Sequence, residues 1–256
     1  MRRLVDTVGA RLPGGFLYAA SQLLLFFAAY NLYQVVRGLT DGSRQEAFAN
    51  AERVIDAERW LGSFFEPGLQ QALLDQRWLI DFANFMYMNS HFVVTTTFLV
   101  WVYLFRHEHW GFIRNMFLVA MGLGLVGYAI FPTAPPRLIP EEGFTDTIAT
   151  FTGVAQDKGT VSLLVNQYAA VPSMHCAFAL MIGIPGIIIA RRRWAKALWS
   201  LYPLLVLWVV VVTGNHFWLD GAAGALVAVL AALAARRLAR ARQAWAWRPA
   251  TGEARA

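Results

Sequence analysis

Charged side chains are scarce in this chain, 15% of its 256 residues against 57% that are hydrophobic. A soluble domain carries about 25% charged residues, so an ordinary water-facing surface is excluded and lipid is the solvent that fits. Cysteine is nearly absent: the single Cys176 excludes an internal disulfide framework and any zinc site built on cysteines, and it says nothing about compartment. No internal repeat stands out, and the only biased segment is a tail rich in Ala and Arg. Acids are also few, 16 against 22 Lys and Arg, which leaves a net charge of +6. A basic balance can signal nucleic acid. Here the bases sit in short runs between apolar stretches and not along one polar face, which points to topology signals of a membrane protein and to no nucleic-acid partner.

What the chain has in quantity is long apolar runs. A helix rising about 1.5 Å per residue needs about 20 residues to cross a hydrocarbon core about 30 Å thick. Six runs meet that need, at approximately 16–36, 83–105, 112–131, 172–190, 197–214 and 216–235. Within lipid the backbone must satisfy its own hydrogen bonds, so the expected fold class is all-α, an integral membrane bundle of six spans forming one domain over 1–256. Arg2, Arg3 and Arg11 precede the first run as in a secretory signal. That run is too long for one and lacks a small-residue cleavage pattern, which predicts a retained span.

Residues 41–82, between the first two spans, have a different composition, rich in acids and bases. Ser43 followed three residues later by Glu46 reads as a capping box. Phe48, Ala51, Val54, Ile55, Leu61 and Phe65 recur at helical spacing, with Glu52, Arg53, Asp56 and Arg59 between them. The pattern predicts an amphipathic helix at the membrane surface, either packed over the bundle as a lid or running as a solvated connection.

Basic residues set an orientation, because their bias in short loops decides which side faces the cytoplasm. The N-terminus, the 106–114 and 191–196 connections and the tail after 235 hold fifteen of the 22, and the two longer connections hold only seven. Both termini are therefore predicted to be cytoplasmic, with 132–171 outside. Three polar segments at helix ends then fall on that same outer side: Phe131-Pro-Thr-Ala-Pro-Pro-Arg137, Pro172-Ser-Met-His175 and Gly214-Asn-His216-Phe-Trp-Leu-Asp220. Ionisable groups near lipid are costly and mark function by default.

His216 and Asp220 are four residues apart, so they share a face if the last span has begun by residue 216. A carboxylate beside imidazole selects its tautomer and leaves the other nitrogen free for attack or proton abstraction. His175, at a helix start behind Ser173, is the complementary acid. Arg137 and the amides near Ser173 would hold an anion between the two histidines, the set that phosphoryl transfer needs. Ser173 and Asn215 serve equally well as helix caps. His91, His107 and His109 read as ordinary polar residues of a membrane protein, and no local His spacing supports a zinc site.

The Pro-Ser-Met-His at 172–175, the His216-x-x-x-Asp220 pair and an Arg-bearing segment about forty residues before His175 resemble the three-part signature of the type 2 phosphatidic acid phosphatase superfamily. Phe-Pro-Thr-Ala-Pro-Pro-Arg with Gly-Asn-His is most similar to the branch of fungal inositol phosphorylceramide synthase and its bacterial relatives. The resemblance covers about 80–235. It implies a six-helix catalytic core that needs no metal or other cofactor. In such a core His216 forms a phospho-histidine, Asp220 orients it, His175 protonates the leaving group and Arg137 binds phosphate, with Ser173 and Asn215 as further candidate substrate contacts.

The chain departs from the phosphatase pattern at Ile130, where that pattern has Lys, and at Val209 and Val210, where it has Ser and Arg. Two phosphate-binding charges are thus missing, which favours the transferase-like branch or cations recruited from elsewhere, such as Lys158. The expected function is a lipid phosphotransferase at the outer face of a bacterial plasma membrane, with a lipid phosphate donor and an alcohol acceptor. A phosphatase of phosphatidate or of a polyprenyl diphosphate is the alternative, followed by a transporter or a non-catalytic membrane protein.

Overall fold

The computed structural model describes residues 12–39, 43–153 and 166–241. In chain order the helices are α1 (Gly15–Leu39), α2 (Arg44–Trp60), α3 (Glu66–Leu74), α4 (Arg77–Phe85), α5 (His91–Phe105), α6 (His107–Ile130), the short α7 (Thr147–Thr152), α8 (Met174–Ile189), α9 (Arg193–Val212) and α10 (Trp218–Ala241). Among the described residues the only β-pairing is an isolated bridge from Thr133 to Ala169, so the all-α class holds.

Among the described residues, five helical stretches are long and apolar enough to cross a bilayer: Gly15–Val36, Arg77–Phe105, His107–Ile130, Arg193–Val212 and Trp218–Arg240. This is the pattern of a multi-pass membrane protein. The expected fourth run gives α8, which is apolar but spans only 16 residues between the Ser173 cap and Ala190. The second stretch begins at Arg77 and not at 83: Arg77 pairs with Asp81 one turn on (2.9 Å), and α4 continues into α5 through a π-helical turn at Met86–Ser90. Apolar side chains such as Leu17, Leu24, Phe27, Ile130 and Ile188 stay exposed on the outside of the bundle, an arrangement that lipid permits and water penalises.

Helix α8 lies at the centre, packed against α5, α6, α9 and α10. Small residues allow these close approaches. A Cβ on Gly224 of α10 would strike the Ser173 carbonyl oxygen and come within 3.2 Å of the Ala177 nitrogen, so the starts of α8 and α10 meet only because residue 224 has no side chain.

Helix α2 begins where expected, with Ser43 Oγ accepting the Glu46 N–H (3.1 Å). Its buried face is Ala47, Asn50, Ala51, Val54, Ile55 and Glu58, so it is packed on protein and is not a solvated connection. The apolar stripe read through Leu61 and Phe65 stops short: the helix ends at Trp60, Gly62 turns the chain at φ +64°, and both side chains are about half exposed. Arg114, counted above with a loop, instead lies buried within α6, where it donates to Gln22 Oε1 (3.0 Å). The α5–α6 connection then holds Arg106 alone, and the charge bias survives the correction.

Candidate active site

The loop carrying His216 is built by the end of α9. Gly214 adopts φ +67°, its N–H donates to the Val211 carbonyl (2.9 Å), and the Asn215 N–H donates to the Val210 carbonyl (3.0 Å). These paired bonds end a helix with a left-handed residue, a position that favours glycine. Asn215 Nδ2 donates to Thr213 Oγ1 (2.9 Å), closing the turn from the side chain. Helix α10 starts at Trp218, two residues later than a regular His216–Asp220 helical pair requires. The pair forms nonetheless: Asp220 Oδ2 accepts the Phe217 N–H (2.9 Å) and lies 3.3 Å from His216 Nδ1. Both side chains are buried. With the carboxylate as acceptor the proton sits on Nδ1, and Nε2 keeps its lone pair.

Opposite stands His175, in the first turn of α8. Ser173 caps this helix, its Oγ accepting the Cys176 N–H (3.4 Å), while the Ser173 N–H donates to the Asp220 carbonyl (2.9 Å). The rings of His175 and His216 are 5.8 Å apart between centroids. Tyr87, on the π-helical turn, stacks on His175 at 4.6 Å, and His91 approaches its ring to 5.0 Å. His91 is itself held by Tyr202, whose hydroxyl is 3.1 Å from Nδ1. π-helical turns recur at functional sites because they re-aim side chains within a helix.

Arg137 reaches the same place from the segment after α6. Its backbone N–H donates to the Gly214 carbonyl (2.7 Å), its side chain is buried, and Nε lies 3.9 Å from Asp146 Oδ2. Two backbone bonds, Arg137 to Gly214 and Ser173 to Asp220, therefore tie the three polar segments together, although up to about eighty residues separate them in the chain. Of the six candidate residues, His175, His216 and Asp220 converge as side chains, and Arg137 is held beside them through its backbone bond to Gly214. Ser173 and Asn215 sit among them with their side chains engaged in a helix cap and a turn.

The segment between the first two spans is part of this site. Gln70 donates to the Thr145 and Val212 carbonyls (3.1 and 2.9 Å), bracing the loop beside Arg137 against the end of α9. Glu58 and Glu66, both fully buried, accept N–H groups from the start of α10. Neither glutamate was picked out from the sequence, although Glu58 carried a readable signal: it continues the buried 47, 50, 51, 54, 55 spacing of α2, where an acid is out of place. Tyr87 had no local signature. At the positions where the phosphatase pattern has Lys, Ser and Arg, Ile130 faces outward and Val209 and Val210 are buried. Lys158 lies outside the described residues. Among the described residues no three His, Cys, Asp or Glu side chains converge to hold a metal ion.

Compared with known families, the model of the PAP2 superfamily matches residues 52–234, from α2 to α10, a stretch that includes Arg137, His175, His216 and Asp220. No curated protein and no solved structure gives a significant match.

Proposed function

The chain belongs to the PAP2 superfamily, and on that premise we propose that it is a membrane-embedded lipid phosphotransferase working through a covalent phospho-histidine at His216. The observation that carries this reading is the facing pair of histidines, 5.8 Å apart, with the Asp220 carboxylate 3.3 Å from Nδ1 of His216. That carboxylate assigns the nucleophile's part to His216. His216, neutral with Nε2 free, attacks phosphorus; the P–N bond forms as the P–O bond to the leaving group breaks, and protonated His175 gives that oxygen its proton. In the second half an acceptor O–H loses its proton to His175, its oxygen bonds to phosphorus, and His216 is released. Asp220 stabilises the imidazolium character that develops on His216, and Arg137 balances the phosphate charge.

The finer reading is an inositolphosphotransferase-like enzyme, and charge supports it. A phosphodiester donor carries one negative charge where a phosphomonoester carries up to two, so a site with one phosphate-facing Arg and apolar residues at positions 130, 209 and 210 suits a diester. In this reading α8 is a sixth span, and the bias of basic residues supports both termini in the cytoplasm and the site at the outer face of a bacterial plasma membrane, with α2 over it at the surface, all within one membrane domain. The donor then enters from the lipid and the alcohol acceptor from either phase.

The test is turnover by the purified protein in detergent with EDTA, given a panel of phospholipids and polyprenyl diphosphates, with and without inositol, diacylglycerol or ceramide. A new phosphodiester formed only with acceptor supports the transferase, and phosphate released into water without one supports a phosphatase. His216→Ala should abolish either product in a folded protein; unchanged turnover in that variant would sink the assignment.

A further inference from the structure

Three N–H groups open the first turn of α10, and all three go to carboxylates: Phe217 to Asp220 Oδ2 (2.9 Å), Trp218 to Glu66 Oε1 (3.0 Å) and Leu219 to Glu58 Oε1 (3.1 Å). Asp220, Glu66 and Glu58 are each 0% exposed. A helix N-terminus carries about half a positive charge, too little to balance three buried anions. His216 pairs with Asp220, Arg59 turns away to Glu142, and the ionisable groups acting on Glu58 are Glu66 and Asp220, both acids.

Oxygen use identifies where a proton belongs. Glu66 accepts at both oxygens, from Trp218 and from the Phe65 N–H (2.9 Å). Glu58 accepts only at Oε1; its Oε2 is buried with no donor to serve among the described residues, and the N–H groups that Glu66 and Glu58 accept, Trp218 and Leu219, are neighbours in the chain, which brings the two carboxyls to the same place. A protonated Oε2 turns this orphan into a donor toward the Glu66 carboxylate and removes one charge from the cluster.

We propose that Glu58 and Glu66 form an acid–carboxylate pair holding one proton, which clamps the first turn of α10 and so positions His216 and Asp220. Both are positioning residues, acting through the backbone at 218 and 219. The Glu58 carboxyl is raised to about 9 in all: burial pushes it up most, the Leu219 N–H pulls it down, and Glu66 and Asp220 add to the rise. The segment between the first two spans is thereby bonded to the start of the helix that follows the nucleophile.

Two readouts on the full-length protein in detergent test the pair. The first needs no substrate. A carboxyl at about 9 when folded, against an ordinary 4.5, makes folding stability fall as pH rises between those values and level off above them. Glu58→Gln, neutral at every pH, removes that contribution, so its thermal midpoint relative to wild type should rise steadily from pH 5 to pH 9. Parallel curves for the two proteins would overturn the proposal.

The second readout rests on the proposed function. Glu58→Ala should lower kcat about 10-fold to 100-fold with KM little changed. Glu58→Gln, whose amide still accepts from Leu219 and donates to Glu66, should recover most of that loss, and Glu66→Gln, which sets an NH2 against a donor, should not. Equal losses in Glu58→Ala and Glu58→Gln would overturn proton sharing. Absence of wild-type turnover would instead count against the functional reading, with the unfolding comparison still deciding the pair.

Discussion

His216 and His175 are chemically alike and differ in what stands behind them. His216 has the Asp220 carboxylate at 3.3 Å, while His175 has Tyr87 stacked on its ring and the His91 ring tilted beside it. If His175 is the acid, removing it matters only as much as the leaving group needs a proton. His175→Ala should slow leaving-group release about 10²-fold to 10⁴-fold for an alkyl phosphoester, and far less for a nitrophenyl ester whose oxygen leaves as an anion. Pre-steady-state release measured with both esters checks this, and equal slowing would remove His175 from the acid role. At this scale the sequence showed the residues whose chemistry is costly in lipid, namely Arg137, His175, His216 and Asp220. It hid those whose role depends on a distant partner. Glu58 and Glu66 read as charges of an interfacial segment until Trp218 and Leu219, over 150 residues on, are seen to donate to them.

Helix packing sets how far apart the two histidines sit, and Gly224 is the contact that fixes it. Gly224→Ala places a methyl group against the Ser173 carbonyl and Ala177 nitrogen, backbone atoms that cannot swing aside. The expected cost is about 1–3 kcal/mol of stability, together with a drop in kcat as α8 and α10 separate. Denaturation midpoints and rates for this variant beside Gly122→Ala in α6, where a methyl meets nothing within 4 Å, distinguish crowding from the substitution as such. Hydrophobic periodicity made the helices themselves legible, because apolar length in lipid leaves few alternatives. Their ends were less so. Arg114 looked like a loop residue until Gln22 supplied a buried partner, and α2 stopped at Trp60 because Gly62 turns the chain while the apolar letters run on.

For the whole molecule, the bias of basic residues predicts that the site opens on the outer face and that both chain ends lie inside. Cys176 is buried, so single cysteines introduced at exposed positions report sidedness with little background. Glu141→Cys should react with an impermeant maleimide on intact cells, and Arg193→Cys only after the membrane is opened. The reverse pattern would place the chemistry on the cytoplasmic side. Five of the six expected spans are long enough by themselves. The short α8 shows why counting letters overshoots: Pro172 and Ser173 belong to the turn and cap ahead of the helix, which starts only at Met174.

The central claim, that His216 carries the group in transit, is tested most directly by rapid acid-free quenching of the enzyme during turnover and peptide mass spectrometry of the adduct. The account predicts a phosphoryl or phospho-alcohol group on His216 that decays when acceptor is added and fails to form in His216→Ala. Turnover with an unmodified His216, or with the adduct on another residue, would contradict it.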